Sequence, residues 1–357
     1  MRIAQIAPLY ESVPPRSYGG TERVVAYLTD ELVAQGHDVT LFASADSTTR
    51  ARLVPCAPQA LRLCPGSIDS LAHHVLMLER LIGAAAAFDV LHFHIDYLHF
   101  PLSRLHGWPN VTTLHGRLDI PDLVPIYDEF AEMPVVSISD AQRAPLPRAG
   151  WQATVQHGLP VNLHAFSPGP GSYLAFLGRI SPEKRVDRAV EIARRAGLPL
   201  RVAAKVDRVD REYFKDRIAP LFEAPFVEYV GEIGEREKTA FLGGAAALLF
   251  PIDWPEPFGL VMIEALACGT PVIAWRRGSV AEVLEHGRTG FMVESMDEAV
   301  AAVRAIGGID RRTCRAAFEA RFTAARMAAD YVRVYERLID RRGAGPPRRW
   351  PAERCVA

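Results

Sequence analysis

The chain has 357 residues, 49% of them apolar and 23% charged, with a formal net charge of −1. That length exceeds what one hydrophobic core usually serves and the balance is that of a globular protein, so about two domains are expected and a disordered or fibrous chain is excluded. Charge is unevenly distributed: residues 1–165 carry 11 Arg and 16 acidic side chains, a net −5, and the remainder a net +4. An anionic ligand is therefore expected on the second half, while nucleic-acid binding and stable docking on anionic lipid are disfavoured.

Residues 3–7 read as a buried strand, residues 8–20 as a Pro/Gly-rich loop and residues 22–34 as an amphipathic helix. Within the loop, Tyr18-Gly-Gly-Thr-Glu22 sets Gly19 and Gly20 ahead of the helix, where backbone without side chains lets a ligand approach, although such glycine pairs are common in turns. Short β-rich runs follow at 39–44, 90–94, 111–115 and 135–139, alternating with helical segments. Their near-continuous apolar character points to a parallel sheet covered on both faces. His115 closes one of these runs; a lone histidine there is more often structural than catalytic. His92, His94 and His99 alternate with apolar residues, which suits core or rim positions rather than metal ligands.

A Pro/Gly/Ser break at 167–172 reads as an interdomain linker and hinge, after which the strand-helix rhythm restarts at 173–177 and continues through 200–204, 226–230, 247–250 and 271–275. The expected architecture is α/β, with two doubly wound domains facing across a cleft. The first spans residues 1–167 and the second 168–325. Residues 326–357, the end of a long helical pattern over 311–340 with an Arg/Pro-rich tail, are expected to pack back on the first domain.

No apolar run reaches the roughly 20 residues of a membrane-crossing helix, and the start MRIAQIAPLYE is unlike a signal peptide, so a cytoplasmic protein is expected. Cys56, Cys64, Cys268, Cys314 and Cys355 form an odd set without a CxxC pair, which favours reduced thiols.

Two segments carry chemistry. In Glu256-Pro-Phe-Gly-Leu-Val-Met-Ile-Glu264 a loop meets a helix start, so the backbone N–H groups of Phe258, Gly259 and Leu260 and the helix dipole make an anion site, with Gly259 allowing close approach. Glu256 precedes that helix and Glu264 lies in it, which lets them serve different hydroxyls of one ligand; a solvated acidic pair is the plain alternative. In Gly178-Arg-Ile-Ser-Pro-Glu-Lys184, Arg179 and Lys184 stand at a strand's carboxyl end, suited to neutralising a diphosphate. Lys184 is one of only four lysines beside 37 arginines. The alternative for both is an ordinary surface ion pair with nearby acids. No GxSxG, Walker A, HExxH or GxGxxG motif opens a strand-to-helix turn, which disfavours hydrolase, NTPase, zinc-protease and dinucleotide readings.

Taken together, YGGTE, His115, GRISPEK, the Val230-Gly231-Glu232-Ile233 turn and EPFGLVMIEALACGTPVIA resemble glycosyltransferase family 4, retaining enzymes of GT-B fold, over nearly the whole chain. The resemblance implies a nucleotide-sugar donor, here expected to be a UDP-hexose, transferred to a soluble small-molecule or saccharide hydroxyl without metal or other cofactor. It implies that Arg179 and Lys184 hold the diphosphate, Glu256 contacts the sugar, Glu264 binds ribose, and Phe258, Gly259 and Leu260 donate from the backbone. Gly19 and Gly20 are expected near the diphosphate, His115 near the sugar, and Gly231 and Ile233 near the base. Two departures stand out: Arg185 where a glycine often follows the lysine, and His157-Gly-Leu-Pro160 in place of the commoner Gly-Val-Asp. A nucleotide-sugar epimerase or a phosphorylase of the same architecture, and a protein that binds donor without transfer, are the competing readings. The acceptor pocket is expected from first-domain loops at 56–70 and 117–134.

Overall fold

The computed structural model describes residues 1–16, 19–64 and 66–343. Tyr18, Cys355 and the tail 344–357 lie outside the described residues.

The first domain is a seven-stranded parallel sheet of β1 (Arg2–Ile6), β2 (Asp38–Ser44), β3 (Arg52–Ala57), β4 (Val90–Phe93), β5 (Asn110–Thr113), β6 (Val135–Ser137) and β7 (Trp151–Thr154). Its order is β3-β2-β1-β4-β5-β6-β7. The second is a six-stranded parallel sheet of β8 (Tyr173–Arg179), β9 (Leu200–Lys205), β10 (Val227–Gly231), β11 (Ala245–Phe250), β12 (Val272–Trp275) and β13 (Gly290–Val293), in the order β10-β9-β8-β11-β12-β13. The strand order reverses at β1/β4 and at β8/β11, so a crevice opens at the carboxyl ends of both sheets. Two doubly wound α/β domains, as expected from the sequence, are what the chain forms.

The inner strands are buried on both faces, which is why they read as apolar runs. The strands that the sequence pattern does not announce, β3, β7 and β13, all lie at sheet edges. There one flank is open and mixed residues such as those of Arg52–Ala57 and Trp151–Thr154 are tolerated.

Six helices matter below: α1 (Gly20–Ala34), α2 (Val186–Ala196), α3 (Glu235–Gly243), α4 (Leu260–Ala267), α5 (Arg311–Arg321) and α6 (Ala324–Gly343). The helical pattern over 311–340 is not continuous. It breaks at Phe322 and Thr323 because the backbone there pairs with Leu159: Leu159 N donates to Phe322 O at 2.9 Å, and Ala324 N donates to Leu159 O at 2.8 Å. A Cβ on Gly158 would lie 2.2 Å from Thr323 O, so only glycine fits at this crossing. After the break α6 returns to the first domain, where Met327, Ala328, Tyr331, Val334 and Tyr335 share a core with Ile3, Val24, Leu28, Val90 and Val111.

The segment 167–172 is irregular but tied to the second domain. Ser167 N donates to Cys268 O and Ser172 N to Gly244 O, both at 3.0 Å, and an added Cβ on Gly171 would strike the Ala245 backbone at 2.2 Å. The crossings between domains lie instead at 156–159 and 322–324.

Candidate active site

The two sets of strand ends face one another across a cleft of about 770 Å3. Of the residues singled out in the sequence, Gly19, Gly20, His115, Arg179, Lys184, Ile233, Glu256, Phe258, Gly259, Leu260 and Glu264 all line it. Gly231 does not: it ends β10 with φ +79, and Glu232 and Ile233 reach the cleft in its place.

Helix α4 is apolar and almost wholly buried, so its N-terminus is aimed at the cleft by the core that holds its body. Gly259 precedes it at φ +79, where a Cβ would press on Met262 Cε at 2.9 Å and Phe250 Cζ at 3.1 Å. The turn that exposes the first N–H groups of α4 therefore requires glycine. Gly20, opening α1, faces this helix start, with Leu260 Cδ1 3.6 Å from where its Cβ would be.

Arg179 ends β8, and its guanidinium donates to Asp207 and Glu183, each at 3.3 Å. Lys184 is paired with Glu256 rather than with acids at the start of α2. Its ammonium also lies 5.0 Å from the Trp254 ring centre and 5.6 Å from that of Phe250, a cation over aromatic faces. Glu256 is 9% exposed and accepts a second bond, from Trp254 Nε1 at 2.8 Å. Glu264, 3% exposed, accepts from Lys238 on α3 at 2.7 Å. Lys205, ending β9, pairs with Asp207 at 3.1 Å.

Three of the four lysines, Lys184, Lys205 and Lys238, thus line one cleft. The scarcity that marks Lys184 in the sequence marks the other two as well, and would have found them. Arg23 of α1 reaches across to Glu235 of α3, joining the domains at the cleft edge. Burial raises the Glu235 carboxyl, but the His164 hydrogen bond and the charges of Lys238 and Arg23 outweigh it and bring it down to about 2. His164, Glu235 and Glu264 bring ligand-type atoms within 4.8 Å of one another. Lys238 and Arg23 already neutralise those carboxylates, which makes the group an ion-pair network.

On the first-domain side, His115 is half-buried two residues past β5. Its Nε2 meets His94 Nδ1 at 2.9 Å, and burial pushes its imidazole down to about 3. His115 stacks on His157 at 5.3 Å between ring centres, and His157 meets Phe258 edge-on at 5.0 Å. His157, the first residue of the departure at His157-Gly-Leu-Pro160, is accordingly part of the cleft wall. His99, by contrast, turns to the other face of the sheet and stacks on Phe93. Tyr10, Arg62, His74, Asp96 and Tyr97 complete the first-domain wall. Tyr10 and Arg62 lie close to, and Arg62 within, the loops expected to shape that side; Asp96, which follows β4 with φ +51, had no distinguishing pattern in the sequence.

Comparison with known proteins agrees with this fold. The family model described as Glycosyltransferase Family 4 matches residues 18–153, and that described as Glycosyl transferases group 1 matches residues 166–308. The chain is 26% identical to the phosphatidyl-myo-inositol mannosyltransferase of Mycobacterium leprae, over 94% of this chain and 96% of that one. It is also 26% identical to the D-inositol 3-phosphate glycosyltransferase of Streptomyces scabiei, over 80% and 77% respectively. In fold it is similar to AviGT4, a glycosyltransferase involved in avilamycin A biosynthesis (TM-score 0.74, 24% identity, 95% of this chain and 98% of that one). It is likewise similar to Anabaena HepE in complex with UDP and glucose (TM-score 0.73, 18% identity, 94% and 100%).

Proposed function

Because the chain belongs to glycosyltransferase family 4 and has the GT-B fold, we propose that this glycosyltransferase is a retaining hexosyltransferase whose nucleoside diphosphate donor sits on the second domain. The observation that carries the reading is the convergence, at the start of α4, of Arg179 and Lys184 with the carboxylates Glu256 and Glu264.

In this reading the donor diphosphate takes Lys184 over from Glu256 and is held by Arg179 and the N–H groups of Phe258, Gly259 and Leu260. Glu256, released from its cation, accepts from hexose hydroxyls, and Glu264 from ribose hydroxyls. The bond from the anomeric carbon to the diphosphate oxygen breaks, and the acceptor oxygen bonds the anomeric carbon from the same face. Its proton passes to the departing diphosphate, and configuration is retained. Negative charge develops on the diphosphate, where fixed cations and the helix start stabilise it. These groups supply the charge that a divalent ion provides elsewhere, so transfer is proposed to proceed without added metal.

The donor is proposed to be a UDP-hexose. A relative described as a GDP-mannose-dependent mannosyltransferase, from Mycobacterium tuberculosis and 27% identical, makes GDP-mannose the alternative to test. The acceptor is proposed to be a hydroxyl of a small polyol or saccharide against the first-domain wall; the relatives' names include an inositol lipid and an inositol phosphate, which share a polyol ring. Among the described residues no helix is long and apolar enough to cross a membrane. The test is a calorimetric and thermal-shift screen of UDP, GDP and ADP and their common sugar conjugates, since a true ligand raises apparent stability.

A further inference from the structure

One face of the first sheet carries a chain of polar side chains that leads to His115 and whose other members have no role assigned above. Gln5 of β1 pairs in register with His92 of β4, and alternation along the strands brings His94, Thr113 of β5 and His115 onto the same side. Gln5, His92 and Thr113 are fully buried, and His94 nearly so. From above, Tyr331 and Tyr335, one turn apart on α6, point their hydroxyls into this layer.

The contacts are continuous. Gln5 Oε1 lies 2.8 Å from His94 Nε2, and His94 Nδ1 lies 2.9 Å from His115 Nε2. At the other end of the same amide, Gln5 Nε2 donates to the Tyr335 hydroxyl oxygen at 3.2 Å and approaches His92 Nδ1 at 3.4 Å. His92 Nδ1 also meets the Tyr335 hydroxyl at 2.7 Å, His92 Nε2 meets Thr113 Oγ1 at 2.7 Å, and Thr113 Oγ1 meets the Tyr331 hydroxyl at 2.8 Å.

An amide oxygen only accepts, so His94 Nε2 carries hydrogen and His94 Nδ1 is a bare lone pair. His115 Nε2 must then donate to it, which leaves His115 Nδ1 bare. That atom is buried and has no hydrogen-bond partner. Turning the Gln5 amide over would reverse every donor along the chain. It would leave one of the two amide N–H groups with nothing to meet beside His94, and it would bury an orphaned N–H at His115, a costlier defect than an unused lone pair. The Nε2 end of the amide faces the Tyr335 hydroxyl oxygen and His92 Nδ1, both able to accept, and the NH2 group is placed there by the cost of the reversed chain.

Resting on the donor reading above, we propose that Gln5, fixed by Tyr335 and His92, is a positioning residue that locks His94 and His115 in the Nε2–H tautomer. The Nδ1 lone pair of His115 then accepts a hydrogen bond from a hydroxyl of the bound hexose. The return of α6 to the first domain thereby acts on sugar recognition through Tyr335.

The test uses full-length protein with 15N-labelled histidine, read by long-range nitrogen–proton NMR, with Gln5→Met and Tyr335→Phe as variants. Wild type is expected to show His94 and His115 as neutral Nε2–H tautomers. Both variants are expected to give a mixture at His115, and Tyr335→Phe, which removes one oxygen, keeps the test valid if Gln5→Met does not fold. Calorimetry with UDP and UDP-glucose, and with GDP and GDP-mannose, is expected to show unchanged nucleotide affinity in the variants and a loss of about tenfold in the increment due to the sugar. An Nδ1–H tautomer at His115 in wild type, or an undiminished sugar increment in both variants, overturns the proposal. Failure of wild type to bind any of the four compounds overturns the donor reading instead, and with it the sugar contact, while the tautomer result still decides the relay.

Discussion

Lys184 and Glu256 stand 72 positions apart in the chain and form one ion pair in the cleft, with Trp254 Nε1 also bound to the Glu256 carboxylate. Lys238 of α3 and Glu264 of α4 form a second ion pair beside it. In the first pair, an acid proposed to read hydroxyls and a cation proposed to read phosphate are therefore stored against each other. A ligand bearing both groups has a partner for Lys184 and for Glu256 at once, whereas a free phosphate or a free sugar satisfies only one of them and leaves the other charge uncompensated.

Lys184→Ala is expected to lower sugar transfer at least tenfold, because both the diphosphate contact and the cation beside Glu256 are lost, corresponding to about 1.4 kcal/mol or more. Initial rates on the donor identified by the binding screen measure this. Added EDTA is expected to leave the wild-type rate unchanged.

Gly259→Ala is expected to weaken nucleotide binding and to destabilise the fold by about 1–3 kcal/mol, since φ +79 is strained for alanine and its Cβ would meet Met262 and Phe250. Urea unfolding and nucleotide titration of the same preparation separate the two effects. Unchanged values in both would remove the tight turn from the account.

Stability is expected to fall as pH drops below neutrality. His92, His94, His99 and His157 are buried, and burial holds each well below the ordinary histidine range. Because the folded-state values are depressed, the unfolded chain takes up protons first as pH falls through about 6.5, and the folded state loses up to about 1.4 kcal/mol per pH unit for each such group. Urea midpoints at pH 8, 6.5 and 5.5 measure the slope. A flat profile would mean that these imidazoles are not buried as neutral groups.

Glu282→Ala is expected to destabilise the protein by about 1–2 kcal/mol without changing nucleotide affinity. This second-domain carboxylate accepts from Asp140 N and Ala141 N of the first domain, both at 2.8 Å, capping a short helix across the domain boundary and away from the cleft. Thermal unfolding and nucleotide titration measure the contrast.

The fold was legible where strands are buried on both faces, and the three strands missed in the sequence all lie at edges, where β3 and β7 hold mixed residues and β13 is only four residues long. The contiguous segments GRISPEK and EPFGLVMIE were legible because each supplies its chemistry within one loop and one helix start. Lys205 and Lys238 were within reach of the scarcity argument applied to Lys184. The break at Phe322 and Thr323 was not, since it depends on backbone pairing with Leu159, far away in sequence. Nor was the relay: Gln5 and Tyr335 are 330 positions apart, and only strand register and the return of α6 bring them together.

The measurement closest to the central claim is calorimetric titration of wild type and Lys184→Ala with UDP, GDP, ADP and their common sugar conjugates. The account predicts that wild type prefers one nucleotide class, UDP, and that Lys184→Ala binds it at least tenfold more weakly. Equal binding by the two proteins, or no binding by wild type, would contradict a donor diphosphate held at Lys184 and the start of α4.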